Sequence, residues 1–139
     1  MLNSFHLQVL TPEHEFFSGQ VQMLSVEAMD GRFCILAGHE PMVISLAEGE
    51  VQLRDIEGNE RWAAASDGFL TVTQDEVVMM LQSAEWPEDI DRVRAERAER
   101  RAREALQHKK DRQSHVMNQA MLLRALTRLR VSGRRSVNH

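Results

Sequence analysis

The amino-acid sequence predicts an α+β protein, with an antiparallel β-sandwich or barrel over residues 1–84 and an antiparallel two-helix hairpin over residues 85–139. Three observations lead to this prediction. The charge changes sign near residue 85, the first part consists of short apolar segments separated by turn residues, and the second part carries alanines at helical spacing. Together they divide the chain into two units.

The charge of the chain is distributed unevenly. Residues 1–84 contain 13 acidic and 3 basic side chains, whereas residues 85–139 contain 8 acidic and 14 basic ones. The two net charges, −10 and +6, combine to the −4 of the whole chain. A composition break of this size marks a domain boundary. Pro87, Glu88 and Asp89 follow the break and are typical of a helix start, because proline fits the first turn and negative charge stabilises that end of the dipole.

The residue pattern of the acidic part, residues 1–84, predicts β-strands. Phe5, Leu7 and Val9 alternate with polar residues, which places them on one face of a strand. The predicted strands are FHLQVL, VQMLSVEA, MVISL, VQLRDI, RWAAA, FLTV and VVMML. Turn signals containing Gly, Pro, Asp or Asn lie between them at intervals of about 8–12 residues, which is typical of an antiparallel sandwich or barrel. No helical pattern separates each strand from the next, so a parallel sheet is not expected.

The basic part has the periodicity of two helices. Small residues at spacings of three and four form a seam on the first helix, along which a second helix can approach closely. This seam consists of Ala95, Ala98, Ala102 and Ala105. The segment HKKDRQSH interrupts the pattern, and VMNQAMLLRALTRLRV predicts the second helix, with Ser114 as its N-cap and Gly133 as its stop signal.

Arginines are concentrated on both predicted helices. Some arginines of the first helix follow a glutamate by four residues. Glutamate and arginine in this order form an ion pair that stabilises a helix by about 0.2–0.5 kcal/mol. Other arginines line up with one another at spacings of three and four. These rows are Arg94, Arg97 and Arg101 with Ile90 on the first helix, and Arg124 and Arg128 on the second. Like charges four residues apart destabilise a helix, so the rows predict a partner that carries carboxylate or phosphate groups.

Nucleic acid is one such partner, and a nucleic-acid-binding module that uses the arginine-rich hairpin is the alternative function. The basic part contains one aromatic residue, Trp86 at its boundary, whereas proteins that bind single strands combine basic residues with stacking aromatics. The acidic part would also repel a polyanion. Nucleic acid is therefore not the predicted partner.

The segment DGRFCILAGHEP is predicted to be a loop, with a turn at Asp30-Gly31 and a positive φ at Gly38. It contains Cys34 and His39, which raises the possibility of a thiol–imidazole pair. No residue that would activate a thiol is visible, so Cys34 is predicted to be a small buried hydrophobic residue. The histidines have no metal-ligand spacing, so no metal site is predicted. The sequence favours a non-catalytic interaction protein.

Four motifs carry a resemblance to a known family. They are F.L.VLTPE..FFSG.V near the N-terminus, DG.F.IL.GHEPM, DGFLTV, and IDRVRA at the start of the first helix. The overall resemblance extends from about Phe5 to Val131. Their order and spacing resemble those of the epsilon subunit of rotary F-type ATP synthases. The resemblance implies a β-sandwich of about ten strands followed by a two-helix hairpin. It also implies a non-catalytic rotor subunit in the central stalk, which couples rotation of the head to proton or sodium flow.

The resemblance implies several partners. In this family the sandwich binds the gamma subunit and the ring of c subunits, while the hairpin folds against the sandwich or extends into the head of alpha and beta subunits and inhibits ATP hydrolysis. The residues matched to the gamma and c-ring interface are Asp30, Gly31, Arg32, Gly38, His39, Glu40 and Pro41. We expect a peripheral subunit at the cytoplasmic face of the bacterial inner membrane, with no membrane insertion, no nucleic acid and no obligate homo-oligomer.

Some bacterial members of this family bind ATP weakly in the compact state, so a regulatory ATP is expected although no cofactor is required. Their I/L-D-x-x-R-A motif is matched by the residues of the IDRVRA segment, and the remaining positions lie elsewhere on the hairpin. The full matched set is Glu85, Ile90, Asp91, Arg94, Arg101, Arg124 and Arg128.

The chain departs from the family pattern at several positions. Cys34 and Ala37 replace a glycine and a proline of the loop, Arg32 stands where a carboxylate or neutral residue is common, and Asp67 replaces the glycine before Gly68.

Overall fold

The computed structural model describes residues 3–108 and 112–134. Its strands are β1 Phe5–Leu10, β2 Glu15–Ala28, β3 Gly31–Leu36, β4 Met42–Leu46, β5 Gly49–Asp55, β6 Glu60–Ala65, β7 Gly68–Val72, β8 Glu76–Leu81 and β9 Ala84–Glu85. A 3₁₀ helix, Pro87–Asp89, leads to α1, Arg92–Gln107, and α2, Arg112–Ser132. Parts of the predicted hairpin region, 109–111 and 135–139, lie outside the described residues.

The strands form two layers that share β2. The first half of β2 pairs with β1, and the strand order continues through β8 and β7 to β4. Its second half lies between β3 and β5, and β6 and β9 follow. The structure has nine strands, close to the ten or so that the resemblance implies, and β2 belongs to both layers. The expected sandwich is therefore confirmed.

The sheet is antiparallel, as predicted, except for one parallel strand pair that the sequence pattern did not indicate. β1 pairs with β8 in parallel, with Leu7 opposite Val77, while every other described pair is antiparallel. Parallel neighbours need a long connection, and a helix between them is its usual form. Here the chain between β1 and β8 forms the other strands of the sandwich, β2 to β7. The absence of a helical pattern between strands therefore did not exclude this parallel pair.

The core lies between the two layers. Leu7 and Val9 of β1 are buried, as their alternation predicts. In β2 the alternation changes phase, since Val21 and Leu24 are both fully buried although they are an odd number of residues apart. A register irregularity between Val21 and Met23 causes this change, because one extra residue turns the following side chains to the other face.

The two helices pack through the predicted alanine seam. Ala95 and Ala102 of α1 are fully buried, and Ala125 of α2 is nearly so. The start of α1 differs from the prediction. It begins at Arg92, with the Asp91 carboxylate accepting a hydrogen bond from the Arg94 backbone N–H at 3.1 Å.

Two further sequence expectations concern the ends of α2. Ser114 was predicted as its N-cap, but α2 already includes Arg112, so Ser114 lies within the first turn. Gly133 directly follows the last helical residue, as predicted. Neither helix of the described chain has both the length and the apolar character required to cross a membrane.

The hairpin docks on the sandwich through the end of α2. This part of α2 lies against β5, β6 and the 3₁₀ helix. Ala64, Ile90 and Val131 form the buried apolar cluster at this junction. The N-terminal half of α2 is mostly exposed, including Val116 and Met117.

Candidate functional site

A bidentate ion pair joins α2 to the last strand of the sandwich. Arg128 Nε donates to Glu85 Oε1 at 2.7 Å, and Arg128 Nη2 donates to Glu85 Oε2 at 3.0 Å. Both side chains are largely shielded, with 22% and 32% of their area exposed. A parallel pair of charge-assisted bonds in such a place is stronger and more directional than an ordinary surface ion pair.

A second pair lies beside the first. Arg124 Nε donates to Glu48 Oε2 at 3.3 Å. Burial raises the pKa of the Glu48 carboxyl above its usual value, although the Arg124 guanidinium acts in the opposite direction. Because burial is the larger effect, this pair adds less to docking at neutral pH than its geometry suggests.

A third ion pair joins the residue that follows Gly133, after the end of α2, to β5 of the sandwich. Arg134 Nε donates to Glu50 Oε2 at 2.7 Å, and the Arg134 guanidinium lies 5.5 Å from the centre of the Trp62 ring. The backbone carbonyl of Glu50 accepts a bond of 2.6 Å from Arg32 Nη1. Arg32 also pairs with Glu27 at 3.5 Å, so the edge strand β3 is linked to the docking surface.

A cavity of about 140 Å³ lies between α2 and the sandwich. Its walls include Glu48, Glu85, Arg124 and Arg128. Thr127 also lines it, and its buried hydroxyl oxygen has no hydrogen-bond partner among residues 3–108 and 112–134. The carboxylates of the sandwich neutralise both arginines of this cavity.

The remaining arginines line an open groove on α1. The groove has a volume of about 720 Å³ and contains Arg94, Arg97, Arg100 and Arg101. None of these four makes an ion pair with a described residue. Four guanidinium groups on one surface repel one another, so the groove is electrostatically prepared for an anion.

The other two arginines of α1 form part of a solvated surface. Arg103 pairs with Glu99 at 3.0 Å, as the four-residue spacing predicts. Glu96 was expected to pair with Arg100 but contacts Arg92 at 3.2 Å instead. Arg92 also donates to the hydroxyl of Ser132 at 3.0 Å, which ties α1 to the end of α2.

The residues matched to an ATP site fall into three places. Asp91, Arg94 and Arg101 line the groove on α1. Glu85, Arg124 and Arg128 lie at the cavity, already paired with carboxylates or arginines. Ile90 is buried against Ala64 and Val131 at the docking junction.

The predicted loop DGRFCILAGHEP is not a single loop. Its central residues form β3, whose Phe33 and Cys34 pair with Val26 and Ser25 of β2. Among the matched interface residues, Asp30, Gly31 and Arg32 therefore lie at one end of β3, and Gly38, His39, Glu40 and Pro41 follow its other end. The strand was missed because its apolar residues were attributed to a turn-rich segment.

Two side chains in this segment have different surroundings. Cys34 is exposed, so the prediction that it is buried was wrong. The error arises because β3 is an edge strand, where outward residues face solvent whatever their polarity. Gly38 has φ +83°, as predicted, and the ring of His39 contacts the Phe33 ring at a centroid distance of 5.6 Å.

An aromatic stack fixes the junction between the sandwich and the hairpin. The Trp86 ring lies on the Phe16 ring at 4.3 Å, and the Arg61 guanidinium lies 3.8 Å from the centre of the Trp86 ring. Stacks of this kind contribute about 0.5–1.5 kcal/mol beyond the area they bury. The sequence did not reveal this stack, since Phe16, Arg61 and Trp86 are far apart along the chain.

An apolar patch covers the outer face of the other layer. Phe69 and Met80 are directly paired on β7 and β8, and 59% and 54% of their areas are exposed. Val43 on neighbouring β4 is 71% exposed. A contiguous exposed apolar surface on a folded protein typically marks an interaction site.

The sandwich, the hairpin docked through ion pairs and the exposed patch define a class of two-part β-sandwich and helical-hairpin proteins. Residues 4–87 match the family model of the ATP synthase delta/epsilon chain, beta-sandwich domain, and residues 88–133 match that of the long alpha-helix domain. The chain belongs to the delta/epsilon-chain family of ATP synthases. The family inferred from the four motifs is confirmed.

Relatives from bacteria agree along nearly the whole chain. The chain is 43% identical over 127 residues to the ATP synthase epsilon chain of Caldicellulosiruptor saccharolyticus, covering 91% of this chain and 92% of that protein. It is 38% identical over 135 residues to the epsilon chain of Caldanaerobacter subterraneus, covering 96% and 97%.

Solved structures show the same fold. One is a chain of the Euglena gracilis mitochondrial ATP synthase, solved with OSCP, F1 and the c-ring, with a TM-score of 0.79 at 22% identity over 88% of this chain and 78% of that chain. Another, from the Tetrahymena thermophila central stalk and c-ring, has a TM-score of 0.62 at 11% identity, with 94% of each chain covered.

Proposed function

We propose that the chain is a non-catalytic central-stalk subunit of a bacterial F-type ATP synthase, peripheral on the cytoplasmic side of the membrane. Its sandwich binds the gamma subunit and the c-ring, and its hairpin inhibits ATP hydrolysis by contacting the alpha and beta subunits. Membership in the ATP synthase delta/epsilon-chain family supports assembly into an ATP synthase. Separately, the described residues contain no group of side chains that could hold a metal ion.

The exposed apolar patch carries the proposal. Val43, Phe69 and Met80 lie on the layer that does not hold the hairpin, so they stay accessible while the hairpin is docked. A large apolar surface that a free chain leaves in water is stabilised by a permanent partner, at about 25 cal/mol per Å² of buried apolar area. We assign this surface to the gamma subunit, and the two ends of β3 to the c-ring.

Replacing the centre of the patch should abolish tight binding of gamma. In a Phe69→Ser, Met80→Ser variant we expect affinity to fall by about 30-fold or more, because central aromatic anchors typically contribute at least about 2 kcal/mol. The measurement is calorimetric titration of each variant with the gamma subunit of the same enzyme. The matched control is Val116→Ser, Met117→Ser on α2, which removes equally exposed apolar side chains far from the sandwich. Equal affinities for both variants would contradict the assignment.

We also propose that ATP binds weakly at the arginine groove. Arg94 and Arg101 are available there, whereas contacts with Arg124 and Arg128 would first have to displace Glu48 and Glu85. Because this displacement opposes binding, we expect a dissociation constant of only about 1 mM, which corresponds to a binding free energy of about −4 kcal/mol.

Calorimetry of the full chain with millimolar ATP tests the groove. We expect measurable heat from the wild-type chain and a reduction of at least about tenfold in affinity for Arg94→Ala, since charge-assisted bonds contribute about 1.5–3 kcal/mol. Arg103→Ala is the matched control, because Arg103 lies on the same helix but is paired with Glu99. No heat from the wild-type chain, or identical affinities for Arg94→Ala and the control, would remove ATP from the proposal.

A further inference from the structure

We infer that residues 124–134, at the base of the hairpin, form an ionic latch that holds the hairpin against the sandwich and opens as ionic strength rises. The latch is a property of the isolated chain. Its regulatory meaning, control over how readily the hairpin leaves the sandwich, rests on the proposed function.

The charges across the junction are fully segregated. The cations Arg124, Arg128 and Arg134 belong to α2 and the residues just after it, and their carboxylate partners belong to the sandwich and its last strand. Those partners are Glu48, Glu85 and Glu50, respectively. Each of these three pairs is therefore lost when the hairpin moves away, whereas the pairs Arg92–Glu96 and Arg103–Glu99 lie within α1 and are kept.

Apolar contact at the junction is small by comparison. Ala64, Ile90 and Val131 make up its buried cluster, and one of the three is an alanine. The N-terminal half of α2 extends past the sandwich with Val116, Met117 and Met121 exposed. A junction with so little buried apolar area depends on its ion pairs to an unusual degree, and ion pairs weaken with salt whereas apolar contacts do not.

The three pairs do not contribute equally. The Glu85–Arg128 pair is bidentate and shielded, and Glu50 is held from both sides because Arg32 binds its carbonyl while Arg134 binds its carboxylate. Burial raises the pKa of Glu48, so the cost of desolvating this carboxylate offsets part of its attraction to Arg124. The negative charge of Asp67 acts on Glu48 in the same direction as burial. Glu85 and Glu50 are thus the carboxylates that close the latch.

The opening can be measured as a distance in the full chain. Cys34 is the chain's only cysteine, is exposed and lies on the sandwich, so Leu123→Cys, at an exposed position on α2, provides the second site for a pair of spin labels. Pulsed electron–electron distance measurements then give the ratio of open to docked molecules. Between about 0.01 M and 1 M salt the screening length falls from about 30 Å to about 3 Å. We expect the open-to-docked ratio to rise about tenfold over this range.

Substitutions identify the pairs responsible. Glu85→Gln in the labelled chain should raise the ratio about tenfold at low salt, equivalent to about 1.4 kcal/mol, and should reduce its dependence on salt. Glu50→Gln should act in the same direction. Glu57→Gln is the matched control, because it removes the same charge from an exposed turn of the sandwich, and Glu57 makes no ion pair with the described residues of the hairpin. It should behave as the parent does.

Three results would overturn the latch. They are a distance distribution that salt does not change, equal ratios for Glu85→Gln and Glu57→Gln, and a loss of helical circular dichroism at the salt concentration where the distance increases. The last would show that the hairpin melts and does not swing away as a unit. None of these measurements involves gamma, so the latch and the proposed function fail independently.

Discussion

Gly68→Ala is expected to destabilise the sandwich by about 3 kcal/mol, because the added methyl group would enter the backbone of the neighbouring strand. A Cβ atom at Gly68 would overlap the carbonyl oxygen of Met80 and lie 3.0 Å from the Met80 carbonyl carbon and 3.1 Å from Leu81 Cα. These are backbone atoms of β8, so no rotamer change can relieve the overlap. Strands β7 and β8 would have to separate at this point, where Gly68 lies opposite Leu81. Urea unfolding followed by circular dichroism gives the change in free energy.

Gly19→Ala is the matched control for this prediction. Gly19 also lies in a strand, but a Cβ atom there would meet only the Phe17 side chain, at 3.4 Å. Neither Gly19 nor Gly68 has a positive φ, so backbone strain does not distinguish the two positions. We expect Gly19→Ala to change stability by less than about 0.5 kcal/mol. Equal stabilities for the two variants would show that the close approach of β7 and β8 is not required by the fold.

The sequence predicted the architecture because each unit has a local signature. The alternation of Leu7 and Val9 and the alanine seam containing Ala95 and Ala102 are periodic patterns, and burial follows them. It did not predict features that depend on partners distant in the chain. The parallel β1–β8 pair, the phase change within β2 and the exposure of edge residue Cys34 are set by which strand lies alongside, and a linear pattern does not contain that information.

The sequence predicted which arginines belong to the candidate site, but it did not predict which carboxylates they bind. The spacing of the arginines predicted a partner that carries carboxylate or phosphate groups. The family resemblance implied that ATP is one such partner. The structure shows a further anion, since Arg124 and Arg128 bind Glu48 and Glu85 of the same chain. The charge imbalance between the two parts already indicated such an attraction. The stack of Trp86 on Phe16 had no comparable signal.

Removing the hairpin directly after Trp86 should leave a folded sandwich and raise the ATP hydrolysis rate of the reconstituted enzyme severalfold. The junction contributes few apolar contacts to the sandwich, since Ala64 loses Val131 and Trp62 loses the Arg134 guanidinium. Residues 1–86 also lose the three ion pairs of the junction, which leaves the carboxylates Glu48, Glu50 and Glu85 in contact with water. The truncated chain keeps the patch around Phe69 and Met80 and should still bind gamma. It lacks the hairpin that we propose contacts the alpha and beta subunits, so inhibition should disappear. The measurements are urea unfolding, gamma binding and ATPase activity before and after truncation.

A second truncation, ending at Ala84, provides the control for where the sandwich ends. It cuts at the composition break and removes Glu85 of β9 and Trp86, which stacks on Phe16 and under Arg61. Loss of a large, well-packed aromatic residue costs about 3 kcal/mol or more when it is buried, and we expect about 2 kcal/mol for the half-buried Trp86. Residues 1–84 should therefore be less stable than residues 1–86, although both lack the hairpin. If the two fragments are equally stable, the stack does not support the sandwich. If residues 1–86 fold and bind gamma while hydrolysis stays inhibited, the hairpin is not the inhibitor.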